Sequence, residues 1–192
     1  MTRRFAHLLL HVPPPRAGEI RPRLAERSWL VAGGPTGIGW QSEEMAAVLP
    51  AGPADVERVG ADLGDGVEVT AVERLVAVAR ADDTTRPPAG VLALRWFELA
   101  ASDWDEFLDL SVGAWGGFEG AHTSKVLGLF RSEDCAEPDA RALLVTWYGS
   151  LADWETSRRT VGATEGEEAA AGRRFRRRHE ITRRSIVRLS PC

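Results

Sequence analysis

The chain has 192 residues, 44% of them hydrophobic and 27% charged, with a net charge of −4 and two cysteines. That length suits one large domain or two small intimate ones with a sizeable core, and the acidic balance argues against general nucleic-acid binding. Cys135 in a polar loop and Cys192 at the last position imply no disulfide framework, which makes a reducing cytoplasm the expected setting.

In chain order, Phe5 to Val12 reads as a strand, too short and too rich in histidine for a signal-peptide core or a membrane span. Pro13, Pro14 and Pro15 precede a short helix over Glu19 to Arg27. Leu30 to Gly39 and Glu44 to Leu49 form a hairpin-like pair of strands. Pro53 suits the first turn of a helix over Ala54 to Leu63, and Val67 to Ala79 is a long strand or strand pair. Asp82 to Gly90, with its Asp-Asp, Thr-Thr and Pro-Pro pairs, is a polar linker.

The second half is clearer. Val91 to Phe97, Val126 to Phe130 and Ala142 to Tyr148 are apolar runs rather than alternations. Successive strand residues point to opposite faces, so such runs need cover on both sides. Helices cover one face and a second sheet most simply meets the other. Ser102 and Asp103 cap a helix that carries Trp104, Phe107, Leu108, Ser111, Ala114, Trp115 and Phe118 at three- and four-residue intervals. Gly116, Gly117 and Gly120 are expected to weaken and stop it. A helix begins near Ser150, a further one spans Glu165 to Arg178 with acids first and arginines last, and Ile181 to Leu189 closes the unit as a strand. The word is strand-helix-strand-strand-helix-strand, and residues 1–81 repeat it more faintly than 91–192, with 82–90 between them. The expected fold is α+β: two tandem ferredoxin-like units forming an intramolecular dimeric α/β-barrel, antiparallel sheets face to face and helices outside.

Arg95-Trp96-Phe97-Glu98, Asp103-Trp104-Asp105-Glu106-Phe107, Ala114-Trp115 with Phe118-Glu119, and Leu127-Gly128-Leu129-Phe130-Arg131 resemble the NIPSNAP family of the dimeric α/β-barrel superfamily. Ala152-Asp153-Trp154-Glu155 and Arg183 to Leu189 fit the same pattern, and Ile38-Gly39-Trp40-Gln41-Ser42 looks like the matching hairpin of a tandem member. The resemblance covers nearly the whole chain and is specific for fold. The family has no generally agreed reaction, so it implies no activity.

Leu30 to Gly39 imitates the glycine-rich turn of short-chain dehydrogenases. No clear helix follows Trp40, and the only tyrosine, Tyr148, comes after the only lysine, Lys125, which rules out that family's Tyr-x-x-x-Lys pair. A glycine-rich turn between strands is the simpler reading. His7 and His11 share a strand face about 13 Å apart, too far for one metal ion. His122 and His179 stand alone. No spacing matches a metal site, and no cofactor is called for. Some relatives in the superfamily bind haem through a histidine near the loop that holds His122, which makes it the least ordinary of the four. Arg173, Arg174, Arg176, Arg177 and Arg178, with Arg183 and Arg184, read as a solvated helix end with local ion pairs rather than an anion site.

The aromatic residues could instead wall a pocket, with Arg95, Glu98, Ser111 and Thr146 as its polar groups. The candidate residues are Trp96, Glu98, Ser111, Trp115, His122 and Trp147. On the first strand, Trp96 and Glu98 share one face and Arg95 takes the other. The expectation prefers Trp96 with Glu98 opposite Ser111, a carboxylate with a raised pKa being a usable proton carrier. The alternative is an inert Glu98 paired with an arginine at the sheet end. Two function classes follow. One is a binding protein for a small apolar molecule or a protein partner. The other is a small cofactor-independent oxygenase or isomerase. Neither nucleic acid nor membrane is an expected partner, and the pseudo-dimer within the chain leaves room for higher oligomers.

Overall fold

The computed structural model describes residues 3–50, 58–59, 61–81, 87–159 and 166–192. The first half contributes strands β1 (Arg4–His11), β2 (Leu30–Gly33), β3 (Glu44–Pro50) and β4 (Glu68–Arg80), with helix α1 (Ala17–Arg27). The second half contributes β5 (Val91–Ala100), β6 (Ser124–Ser132), β7 (Asp139–Tyr148) and β8 (Thr182–Pro191). Its helices are α2 (Trp104–Ala121), α3 (Leu151–Arg159) and α4 (Gly166–Ile181). The expected helix over 54–63 and the linker over 82–90 lie partly outside the described residues.

All eight strands form one antiparallel sheet in the order β2-β3-β1-β4-β6-β7-β5-β8. In each half the first strand is flanked by the third and fourth, the order of a ferredoxin-like unit. The halves join twice. β4 pairs with β6 from Leu75↔Ser132 to Arg80↔Gly128. At the pseudo-symmetric position, Ile38 and Leu189 exchange both backbone hydrogen bonds at 2.9 Å, and the Gly33 N–H donates to Ser190 Oγ at 2.9 Å. The sheet therefore curls until its two ends meet. The facing sheets expected from the sequence are two halves of this one curled sheet, joined edge to edge.

The curl explains the two-sided apolar runs. Leu92, Leu94 and Trp96 of β5 turn inward to meet Leu143 and Val145 of β7, Phe130 of β6, and Phe5, Val48 and Leu75 of the other half. The intervening Ala93, Phe97 and Leu99 turn outward against Trp104, Phe107, Trp115 and Phe118 of α2. In the first half, Leu8 and Leu10 of β1, with Met45 and Leu49 of β3, face outward against Ile20 and Leu24 of α1 and against Val59 and Leu63. Burying each such large side chain contributes about 1.5–3 kcal/mol.

Helix α2 runs through Gly116, Gly117 and Gly120 to Ala121, past the stop expected there. Each glycine costs the helix about 1 kcal/mol, which the packing of Trp115 and Phe118 on the sheet outweighs. Ser150 caps α3, its Oγ accepting from the Asp153 N–H at 3.1 Å. The glycine-rich stretch after β2 leads to the Ile38–Leu189 bridge and opens no helix. Gly33 has φ +92°, and a Cβ there would sit 2.7 Å from the Glu44 carbonyl oxygen, so close strand approach accounts for it. Among the described residues, no helix is long and apolar enough to cross a membrane.

His7 lies on the inward face of β1 with its ring 5.3 Å from that of Trp96, edge to face. Burial first, then the nearby Arg141 and Arg188 charges, pushes it down to about 4. The folded state therefore refuses a proton that the unfolded chain accepts near pH 6.5. Stability from this group is complete above pH 6.5 and falls as pH drops toward 4, by at most about 3 kcal/mol. Urea titrations of the wild type and of His7→Phe at pH 7 and pH 4 should show the variant losing less stability, by about 2–3 kcal/mol. Equal losses would contradict a buried neutral imidazole.

Residues 91–192 expressed alone should self-associate. Without the first half, Leu92, Leu94, Trp96, Phe130, Leu143 and Val145 lose their cover. Apolar area of this kind drives association at about 25 cal/mol per Å². Sedimentation equilibrium is the measurement, and a stable monomeric fragment would contradict the shared barrel interior.

Candidate functional site

The outward face of the second half does not close completely. Between the sheet, α2, α3 and α4 lies an open cavity of about 460 Å³. Its floor follows from strand periodicity. Ala93, Arg95 and Phe97 share one face of β5, and Leu144, Thr146 and Tyr148 share the same face of β7. Register sets Ala93 opposite Thr146 and Arg95 opposite Leu144. Trp115 and Phe118 of α2 and Phe175 of α4 form apolar walls, and the exposed Arg158, Arg176 and His179 stand at the mouth. The equivalent layer of the first half is filled by Ile20, Leu24, Val59 and Leu63, leaving a space of about 60 Å³ beside them.

The electrostatics are one-sided. Arg178 enters from α4 and is buried. Its guanidinium carbon lies 4.9 Å from the ring centres of both Phe97 and Phe175, and its Nη1 donates to Ser111 Oγ at 3.3 Å. Desolvation, then the neighbouring Arg95 and Arg158 charges, pushes its pKa down to about 9, with Tyr148 acting in the opposite sense. Arg95 is pushed down to about 10, again mainly by burial and then by Arg158. Both remain charged at neutral pH. Arg158 donates from Nη2 to the Tyr148 hydroxyl at 3.3 Å. Among the described residues that line the cavity there is no carboxylate. The indole Nε1–H of Trp115 is buried with no acceptor among the described residues.

The structure divides the residues expected at a pocket. Trp115 lines the cavity, and Ser111, fully buried, reaches it through Arg178. Thr146 and Arg95 line it as well. Trp96 and Glu98 do not. Trp96 shares the parity of Leu92 and Leu94 and fills the barrel interior, so Arg95 and not Glu98 takes the face toward α2 and Ser111. Glu98 sits near Arg184 at 3.7 Å, an arginine partner of the kind the alternative reading expected. Trp147 packs on the interior side and donates from Nε1 to the Pro88 carbonyl at 3.0 Å. His122 ends α2 with its ring 5.3 Å from that of Phe118, outside the lining residues.

The sequence reading missed Arg178, Arg158 and Phe175. The arginine cluster behaves as a solvated helix face at Arg177, which pairs with Glu106 at 2.7 Å and with Glu180 at 3.3 Å. Arg183 is also exposed and paired, with Asp139, but it and Arg184 lie on β8 and not on the expected helix end. A usable signal was present: Ala171, Phe175 and Arg178 recur at helical spacing and form the inward stripe of α4. The two-sided burial of β5 likewise required Arg95 to be covered.

Among the described residues, no group of three or more metal-ligating side chains occurs. The cavity does not suit a haem. His122 lies outside it, and the one histidine among its described lining residues, His179, stands exposed at the mouth and not against the apolar walls.

No family model matches the sequence, and neither does any curated protein. Solved structures share the fold across nearly the full chain. A candidate monooxygenase from Lactobacillus acidophilus is 10% identical with a TM-score of 0.62, the match covering 99% of this chain and 93% of that one. An anthrone oxidase-like protein is 12% identical with a TM-score of 0.55, covering 98% and 91%. A variant chlorite dismutase from Candidatus Nitrospira defluvii is 11% identical with a TM-score of 0.52, covering 97% and 90%. At these identities the likeness is one of fold: the chain has the ferredoxin-like, dimeric α/β-barrel architecture.

Proposed function

We propose that the protein binds a small, largely apolar molecule in the second-half cavity, as a NIPSNAP-like member of the dimeric α/β-barrel proteins. The observation that carries this reading is the cavity: about 460 Å³ walled by Phe97, Trp115, Phe118 and Phe175, with a few polar groups converging on it. That size and mixture is what drug-sized ligands occupy. The family likeness is supported by the segments around Trp96, Trp104, Trp115 and Phe130. A protein partner is the less favoured occupant, because the large apolar groups here are recessed and not spread over a flat patch.

A second reading is a cofactor-independent oxygenase or isomerase working in the same cavity. It is supported by Arg95 and Arg178 at the floor, since fixed cations in a dry site stabilise an enolate-like charge as it develops. Monooxygenase and anthrone oxidase-like neighbours share the fold and add a reason to measure oxygen uptake with electron-rich cyclic ketones and phenols.

The binding reading is tested with Ala93→Phe, which places a ring on the cavity floor opposite Thr146. Titration calorimetry with 2-naphthamide, a neutral aromatic probe, should show binding to the wild type and a loss of at least about ten-fold in the variant, the cost of removing the space for one ring. Circular dichroism should be unchanged. Equal binding by both proteins would remove the cavity from consideration.

A further inference from the structure

We infer that the ligand of this cavity is an anion: a small planar apolar acid whose carboxylate sits against Arg178 and Arg95, within reach of Arg158. The inference rests on the reading of the cavity as a small-molecule site and adds the chemical class.

Charge pairing along α4 points to it. Arg177, on the outer side of the helix, is held by Glu106 and Glu180, and Arg174 lies 3.8 Å from Asp109. Arg178, the one that turns inward, has aromatic rings and the Ser111 hydroxyl around it, with no carboxylate partner among the described residues. Arg95 is in the same position on the floor. Burial disfavours a guanidinium that has no counter-charge among the described residues, and a ligand carboxylate would supply one. Both line the one cavity, where the Arg158 charge acts on each of them and the Arg95 charge acts on Arg178.

The neutral polar groups agree. Thr146 and Tyr148 add hydroxyls to the lining. Arg158 and Arg176 at the mouth extend the positive lining outward, which raises the encounter rate of anions. Phe97, Phe118 and Phe175 define the rest of the molecule. A free inorganic anion would leave the half-buried Phe175 ring and most of the opening to water, whereas an aromatic or alicyclic acid fills it.

The test uses a matched pair, 2-naphthoate and 2-naphthamide, which share one ring system and differ in charge. Calorimetry on the full chain at neutral pH and low salt should give naphthoate roughly ten- to a hundred-fold tighter than the amide, as charge-assisted hydrogen bonds require. High salt should narrow that gap. Arg178→Met should weaken naphthoate at least about ten-fold more than it weakens the amide, narrowing the gap between the two probes. The ligand-free melting temperature of this variant should stay level or rise, because a buried unpaired charge has gone. A purely structural Arg178 would instead lower it. Should Arg178→Met fail to fold, Arg158→Met, at an exposed position on α3, carries the same comparison. Equal affinity for the two probes in the wild type, or an intact naphthoate preference in both variants, overturns the anion inference and leaves the cavity reading standing. Binding of neither probe overturns both.

Discussion

Side chains along β5 and β7 must alternate between two dry compartments, and the rest of the molecule follows from that alternation. One compartment is the interior of the curled sheet, where Leu92, Leu94 and Trp96 meet the first half. The other is the layer under α2 and α4, where Ala93, Arg95 and Phe97 point. A strand with water on one side tolerates a polar residue at every second position. These strands do not, so Arg95 is a polar group in a place that must account for it. The same rule forces Trp96 away from the cavity and assigns Glu98 to the sheet end beside Arg184.

Two forces shape the cavity in opposite directions. Aromatic packing of Trp115, Phe118 and Phe175 on the sheet builds the wall and stabilises the fold. The guanidinium groups of Arg95 and Arg178 oppose folding, because burial penalises their charge. Arg178 is tolerated because Phe97 and Phe175 offer the faces of their rings, and because Ser111 Oγ accepts a hydrogen bond from it. The result is a site held ready by the surrounding core and poorly satisfied by the protein alone.

The fold was legible because its signal is repeated. The apolar runs at 91–97, 126–130 and 142–148 all require cover on both sides, and each half contributes the same order of elements. That the halves share one continuous sheet was not legible, since the pairing of β4 with β6 depends on contacts between residues 48 to 57 positions apart. At the site, Ser111 and Trp115 were readable from helical spacing, and Thr146 and Arg95 from strand position. The choice between Arg95 and Glu98 turned on parity, which a strand sequence with apolar residues on both faces leaves open. Arg178 was hidden by its neighbours. Five arginines in six positions look alike until the α2–α4 contact selects which one faces inward.

The two halves close the barrel with unequal seams, and they have diverged in the layer outside it. A barrel assembled from two identical chains carries every feature twice, related by its axis. In this chain the first half has filled its helix-side layer with Ile20, Leu24, Val59 and Leu63, while the second has kept an opening. Among the described residues the first half has no matching opening, so the two sides of the pseudo-dimer are no longer equivalent. A packed layer on one side and an open one on the other thus divide between the halves two tasks that a symmetric pair would have to perform twice over with one set of residues.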